Sequence, residues 1–172
     1  MSLPPHDASV VAALLENGPL AWGLAACGCA QLSKLLIELV VHRRWRPAVL
    51  TETGGMPSSH SALMTGTTAA IGWQQGFADP LFALAAALCF VILYDASGVR
   101  FAAGRIAARV NALPVTVWPE GEAPVKALKE NLGHTRLEVL VGSVLGPAIA
   151  LPGLVWLGPP LQILARLQQA LA

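Results

Sequence analysis

Two short motifs, far apart in the chain, each set a histidine at the start of an apolar run. The first is Thr53-Gly54-Gly55-Met56-Pro57-Ser58-Ser59-His60-Ser61. Its two glycines let the backbone turn tightly and expose N–H groups. Proline suits the first turn of a helix, and serine caps the unpaired N–H groups there. A loop of this kind opening a helix holds an anion well, because the helix dipole and the free N–H groups point at it. His60 adds a group that moves a proton near neutral pH. The second motif is Gly133-His134-Thr135-Arg136-Leu137-Glu138. Glu138 follows His134 by four residues, so on a helix both side chains lie on one face.

A carboxylate bonded to an imidazole fixes the tautomer and supports positive charge on the ring, which is the base–orienter half of a catalytic triad. Oriented this way, His134 can attack phosphorus through its free nitrogen and form a phospho-histidine. His60 can protonate the leaving oxygen and then activate water. Cationic groups from Lys34, Arg46 and Arg100 would hold the phosphoryl oxygens and stabilise the transition state. The scheme needs no metal and no cofactor.

The elements that must bring these motifs together are membrane helices. The chain is 55% hydrophobic and 12% charged, where a soluble domain has roughly 25% charged residues. Its 172 residues suggest a single membrane-embedded domain with a core over about 19–157. The net charge of +1, with no dense basic block, zinc-finger spacing or aromatic stacking pattern, argues against nucleic acid as a partner. Cys27, Cys29 and Cys89 sit in apolar runs and read as small buried hydrophobes. The N-terminus lacks a basic n-region, so insertion is expected to use the helices themselves.

In chain order, residues 8–16 form a short apolar patch, broken by Asn17-Gly18-Pro19. Residues 19–41 are long enough to cross a bilayer, which takes about 20 helical residues. Gln31, Lys34 and Glu38 share one face of that span. Two readings suit them: a Lys34–Glu38 pair, or Lys34 neutralising a bound anion. Residues 42–47 are a basic stop with an interfacial tryptophan, and Pro47 stiffens the backbone beside Arg46. Residues 57–74 are rich in serine, threonine, alanine and glycine, which suits a helix packed inside a bundle.

Residues 80–94 are strongly apolar and continue as a helix to about 112, with Asp95 and Arg100 where it leaves the apolar layer. Residues 113–124 read as a mobile loop. Lys126, Lys129 and Glu130 are expected to open a short polar helix ending near Leu132-Gly133. Residues 136–157 are the last long apolar run, and their glycines and prolines predict a kink. The tail 160–172 reads as an amphipathic interfacial helix.

Four crossings, 19–41, 57–74, 80–97 and 136–157, put segments 42–56 and 98–135 on one side. That side holds nearly all the lysine and arginine, and the opposite side has Arg166. The positive-inside rule then predicts a multi-pass protein of the cell inner membrane with both histidines facing the cytoplasm. The expected fold is therefore an all-α, polytopic transmembrane helix bundle with short interfacial helices.

At this point the residues resemble a family. Gly54-Gly55-Met56-Pro57-Ser58-Ser59-His60-Ser61, Asp95-Ala96-Ser97-Gly98-Val99-Arg100 and Leu132-Gly133-His134 followed by Glu138-Val139 look like the divergent PAP2 proteins, over about residues 25–146. The wider superfamily pattern is K-x6-R-P, then P-S-G-H, then S-R-x5-H-x3-D. Pro57-Ser58-Ser59-His60 matches the second motif, with Ser59 for glycine, and implies His60 as the acid. His134 and Glu138 match the end of the third, with glutamate for aspartate, and imply His134 as the nucleophile. Lys34 and Arg46-Pro47 resemble the first at a longer spacing. Leu128 occupies the place of the third-motif arginine, whose charge Arg100 or Lys129 would replace.

The resemblance implies a PAP2-like bundle whose anion site also draws on Gly55, Ser58, Ser59 and Asp95. It implies a metal-independent phosphatase acting on a membrane lipid phosphate or a prenyl diphosphate in the bilayer. Association into a homo-oligomer is left open. The alternative is a catalytically silent binding or assembly subunit that keeps the anion pocket.

Overall fold

The computed structural model describes residues 9–50, 54–118 and 127–171. Seven α-helices appear in order among them: α1 (Ser9–Glu16), α2 (Gly18–Val40), α3 (Ser59–Gln75), α4 (Pro80–Tyr94), α5 (Arg100–Asn111), α6 (Arg136–Pro152) and α7 (Pro160–Leu171). No strand occurs among the described residues. Asn17, Ser58, Asp79 and Thr135 start α2, α3, α4 and α6, each accepting a first-turn N–H on its side chain.

Three helical stretches are long and apolar enough to cross a membrane: Gly18–Val40, Pro80–Asn111 and Arg136–Leu157. The shorter, more polar α3 packs against α2, α4 and α6. Its 17 residues reach about 26 Å at 1.5 Å per residue, close to the roughly 30 Å of a hydrocarbon core. The Ser58 N–H donates to the Glu138 carbonyl at 3.1 Å at one end of the bundle. At the other end Gly18 lies beside Gln74 and Leu154. Helices α2, α3, α4 and α6 thus run alternately up and down, with α3 as the shielded fourth crossing.

Packing around α3 depends on small residues, as expected where lipid supplies no hydrophobic drive between helices. Ala26, Ala30, Ala62, Ala70 and Ala150 are fully buried. A Cβ at Gly66 would press on the Gly146 carbonyl oxygen at 3.0 Å, so these two backbones touch directly. The leucines, valines and phenylalanines that a soluble protein would hide, such as Leu84, Leu88, Phe90 and Val144, face outward.

Three segments depart from expectation. Helices α4 and α5 form one continuous stretch as predicted, but a π-helical turn, Asp95–Val99, joins them. Helix α6 passes Pro147 without interruption and widens into a π-helical turn only at Gly153–Leu157, directly after Pro152 removes another N–H. The polar helix expected to open at Lys126, Lys129 and Glu130 does not form over 127–135, which runs without regular structure across α5. Lys126 lies outside the described residues. The helix fails because the side chain of Asn111 takes both backbone groups of Leu128. Residues 113–118 contain a short 3-10 turn at Val115–Val117, and residues 119–124 of the loop expected at 113–124 lie outside the described residues. Helix α7 packs on α1 and buries none of its residues.

Candidate functional site

His134 sits one residue before the cap of α6. Thr135 and Glu138 form a capping box: the Glu138 N–H donates to Thr135 Oγ1 at 3.3 Å, and the Thr135 N–H donates to Glu138 Oε2 at 3.0 Å. The same Oε2 lies 3.0 Å from His134 Nδ1. One carboxylate oxygen therefore both caps the start of the helix and contacts the imidazole. With the carboxylate ionised, Nδ1 carries the proton and donates it to Oε2, leaving Nε2 with its lone pair. The His134 backbone N–H donates to the Ala96 carbonyl at 3.0 Å, tying the residue to the π-helical turn. His134 is buried, with 6% of its surface exposed.

His60 comes to the same place from α3. His60, Asp95, Arg100 and His134, with Ile92 and Leu132, line a cavity of about 190 Å³. Asp95 and Arg100 are paired across the π-helical turn, Arg100 Nε to Asp95 Oδ2 at 2.5 Å. The wider π turn brings residues five apart onto one face.

A second, larger cavity of about 470 Å³ lies on the other side of the Gly133–Thr135 turn. Lys34, Glu38, Arg46, Gly55 and Glu138 line it. Lys34 is nearly buried, and its Nζ donates to the Gly54 carbonyl at 3.0 Å. Among the described residues it makes no ion pair with Glu38, so the structural-pair reading of those two is not what the fold adopts. Gly54 and Gly55 both have positive φ, 100° and 78°, which only glycine adopts freely. Thr53, the start of that motif, lies outside the described residues.

The predicted residues thus divide. His60, His134, Asp95 and Arg100 share the small cavity, whereas Lys34, Arg46, Gly55 and Glu138 line the large one. Ser58 and Ser59 line neither, in contrast to their expected part in anion binding. Ser58 is fully buried as the cap of α3, accepting from Ser61 Oγ at 2.8 Å. Lys129 also departs from expectation: it lines a shallow apolar depression on α5 with Ala103, Ile106 and Leu128, apart from both histidines. Irregular backbone pinned to α5 carries its side chain there.

Sequence reasoning passed over His42, Asn131 and Thr135, which also line the large cavity. Of these, Thr135 was readable, because Thr-x-x-Glu before an apolar run is a capping-box signature. Nothing in the local sequence marks Asn131 or His42.

The sequence profile of the Divergent PAP2 family matches residues 15–149. The chain belongs to that family. It is 36% identical over 149 residues to the uncharacterized membrane protein YuiD of Bacillus subtilis (strain 168), a match covering 80% of this chain and 94% of the relative. No solved structure matches the chain significantly. The match spans both histidine motifs and all four crossings except the end of the last. Residues 160–171, which form α7, lie beyond the match.

Proposed function

We propose that this divergent PAP2 protein is a membrane lipid phosphatase working through a phospho-histidine at the cytoplasmic face of the inner membrane. The observation that carries the reading is the shared cavity of His134 and His60, with Glu138 holding Nδ1 of the first. His134 Nε2 attacks phosphorus, and the bond to the lipid oxygen breaks as His60 gives that oxygen a proton. His60 then takes a proton from water, whose oxygen displaces His134 and releases inorganic phosphate. Arg100, at the rim, balances charge on the phosphoryl oxygens once substrate competes with Asp95 for it. The cytoplasmic placement rests on the clustering of basic residues at the site end of the bundle. It favours a substrate of the inner leaflet, a lipid phosphate monoester or a prenyl diphosphate.

A specific observation favours a second reading, a catalytically silent binding or assembly subunit: Leu128 stands where the wider superfamily pattern has arginine. Purified protein in detergent decides between them. The phosphatase releases phosphate from phosphatidic acid or farnesyl diphosphate, and His134→Ala lowers the rate at least about 10³-fold. Turnover that survives His134→Ala removes the mechanism. No turnover on either substrate, together with co-purification of a stable partner, favours the silent subunit.

A further inference from the structure

We propose that Asn111, outside both cavities, is the positioning residue for His134, acting by clamping residues 127–133 onto α5. The inference rests on His134 being the reacting group, as argued above. Residues 127–135 have no helix or strand of their own, so their backbone N–H and C=O groups need partners elsewhere. Asn111, the last residue of α5, supplies those of Leu128. Its Oδ1 accepts from the Leu128 N–H at 2.8 Å, and its Nδ2 donates to the Leu128 carbonyl at 2.8 Å and to Glu130 Oε1 at 2.8 Å. A side-chain amide has one acceptor and two donors, and all are used. It pairs with both polar groups of one residue, as a neighbouring strand would.

The contact continues along α5. A Cβ at Gly104 would collide with the Glu130 carbonyl oxygen, and one at Gly133 would collide with the backbone of Phe101. At these two points no side chain separates the strap from the helix. The last fastening is the His134 N–H on the Ala96 carbonyl. The strap thus runs antiparallel to α5, tied at 128 by Asn111, pressed flat at 130 and 133, and tied at 134. Leu128, the position of the superfamily arginine, faces Ala103, Ile106 and Ala107 and contributes its backbone as the anchor. In-line attack demands close placement of Nε2, and a 1 Å displacement costs about 10²-fold in rate.

The test compares full-length wild type with Asn111→Ala in detergent, by hydrogen exchange of the 127–135 peptide and by turnover of phosphatidic acid. The expected result is exchange at least about tenfold faster in that peptide with the α2 and α3 peptides unchanged, and kcat lowered about 10- to 100-fold with KM within about twofold. Asn111→Asp combined with Glu130→Gln rebuilds the bond between the two side chains and keeps the one from the Leu128 N–H, but leaves the Leu128 carbonyl without its donor, so it recovers both readouts in part, whereas Asn111→Asp alone, which sets two carboxylates together, recovers neither. Unchanged exchange, or faster exchange with unchanged kcat, overturns the proposal. If the wild type turns over no lipid phosphate, the phosphatase reading falls, and the ¹⁵N spectrum of the His134 ring decides the clamp. Loss of the Glu138-bonded Nδ1 signal in Asn111→Ala upholds it, and an unaltered ring signal overturns it. Should Asn111→Ala not fold, Glu130→Ala removes one of the three bonds and is read the same way, with a smaller shift.

Discussion

The two cavities on either side of the Gly133–Thr135 turn are built differently. The smaller one gathers both histidines and an arginine from α3, the start of α5 and the residue before the cap of α6. The larger one gathers Lys34, Arg46 and the Gly54-Gly55 backbone, with two carboxylates, Glu38 and Glu138, among them. Glu138 belongs to both regions: its carboxylate faces the large cavity while bonding the ring that lines the small one. On the proposed mechanism, nucleophilic chemistry would belong to the small cavity and charge-based capture of a polar headgroup to the large one.

Perturbing each region should therefore give a different kinetic signature. The largest effect after removal of His134 itself is expected from His60→Ala, which takes away the general acid. It should lower kcat on a lipid phosphate about 10²- to 10⁴-fold. A substrate with a good leaving group, such as p-nitrophenyl phosphate, should lose much less. Equal losses on both would show that His60 does not protonate the leaving oxygen. Next comes Arg100→Ala, expected to lower kcat about 10- to 100-fold because one charge-assisted contact to the phosphoryl oxygens is lost.

Lys34→Met probes the other side of the turn. It should raise KM about tenfold, the size of a hydrogen bond to a charged group, with kcat within about twofold. A fall in kcat without change in KM would mean that Lys34 acts on the transition state and that the two cavities work as one. The smallest effect is expected from Lys129→Ala, within about twofold on both constants, since that side chain lies on α5 away from the histidines. A large loss there would put Lys129 in the site after all.

Much of this was legible in the chain itself. Apolar length marked three spans, and the Ser/Thr/Gly/Ala content of 57–74 correctly placed α3 inside the bundle rather than against lipid. The His134–Glu138 contact was expected from helical spacing and is present, but His134 lies before the cap of α6 and the capping-box carboxylate reaches back to its ring. What local pattern does not encode is which backbone lies on which. The strap 127–135 carries helix-forming residues, yet the partner that overrides them is Asn111, brought near only by the fold. Ser58 and Ser59 show the reverse case. The expected cap is present at Ser58, but both hydroxyls are buried and line neither cavity, with α6 at Gly142 lying against the Ser58 backbone. The division of the charged residues between two cavities likewise depends on how α6 enters the bundle.

The measurement that bears most directly on the central claim is a structure of the full-length protein with vanadate bound. The account predicts vanadium attached to His134 Nε2 inside the small cavity, with His60 on the opposite side of the metal-oxo group and Arg100 turned from Asp95 toward its oxygens. Vanadate confined to the large cavity beside Lys34 and Arg46, with His134 Nε2 unattached, would contradict it.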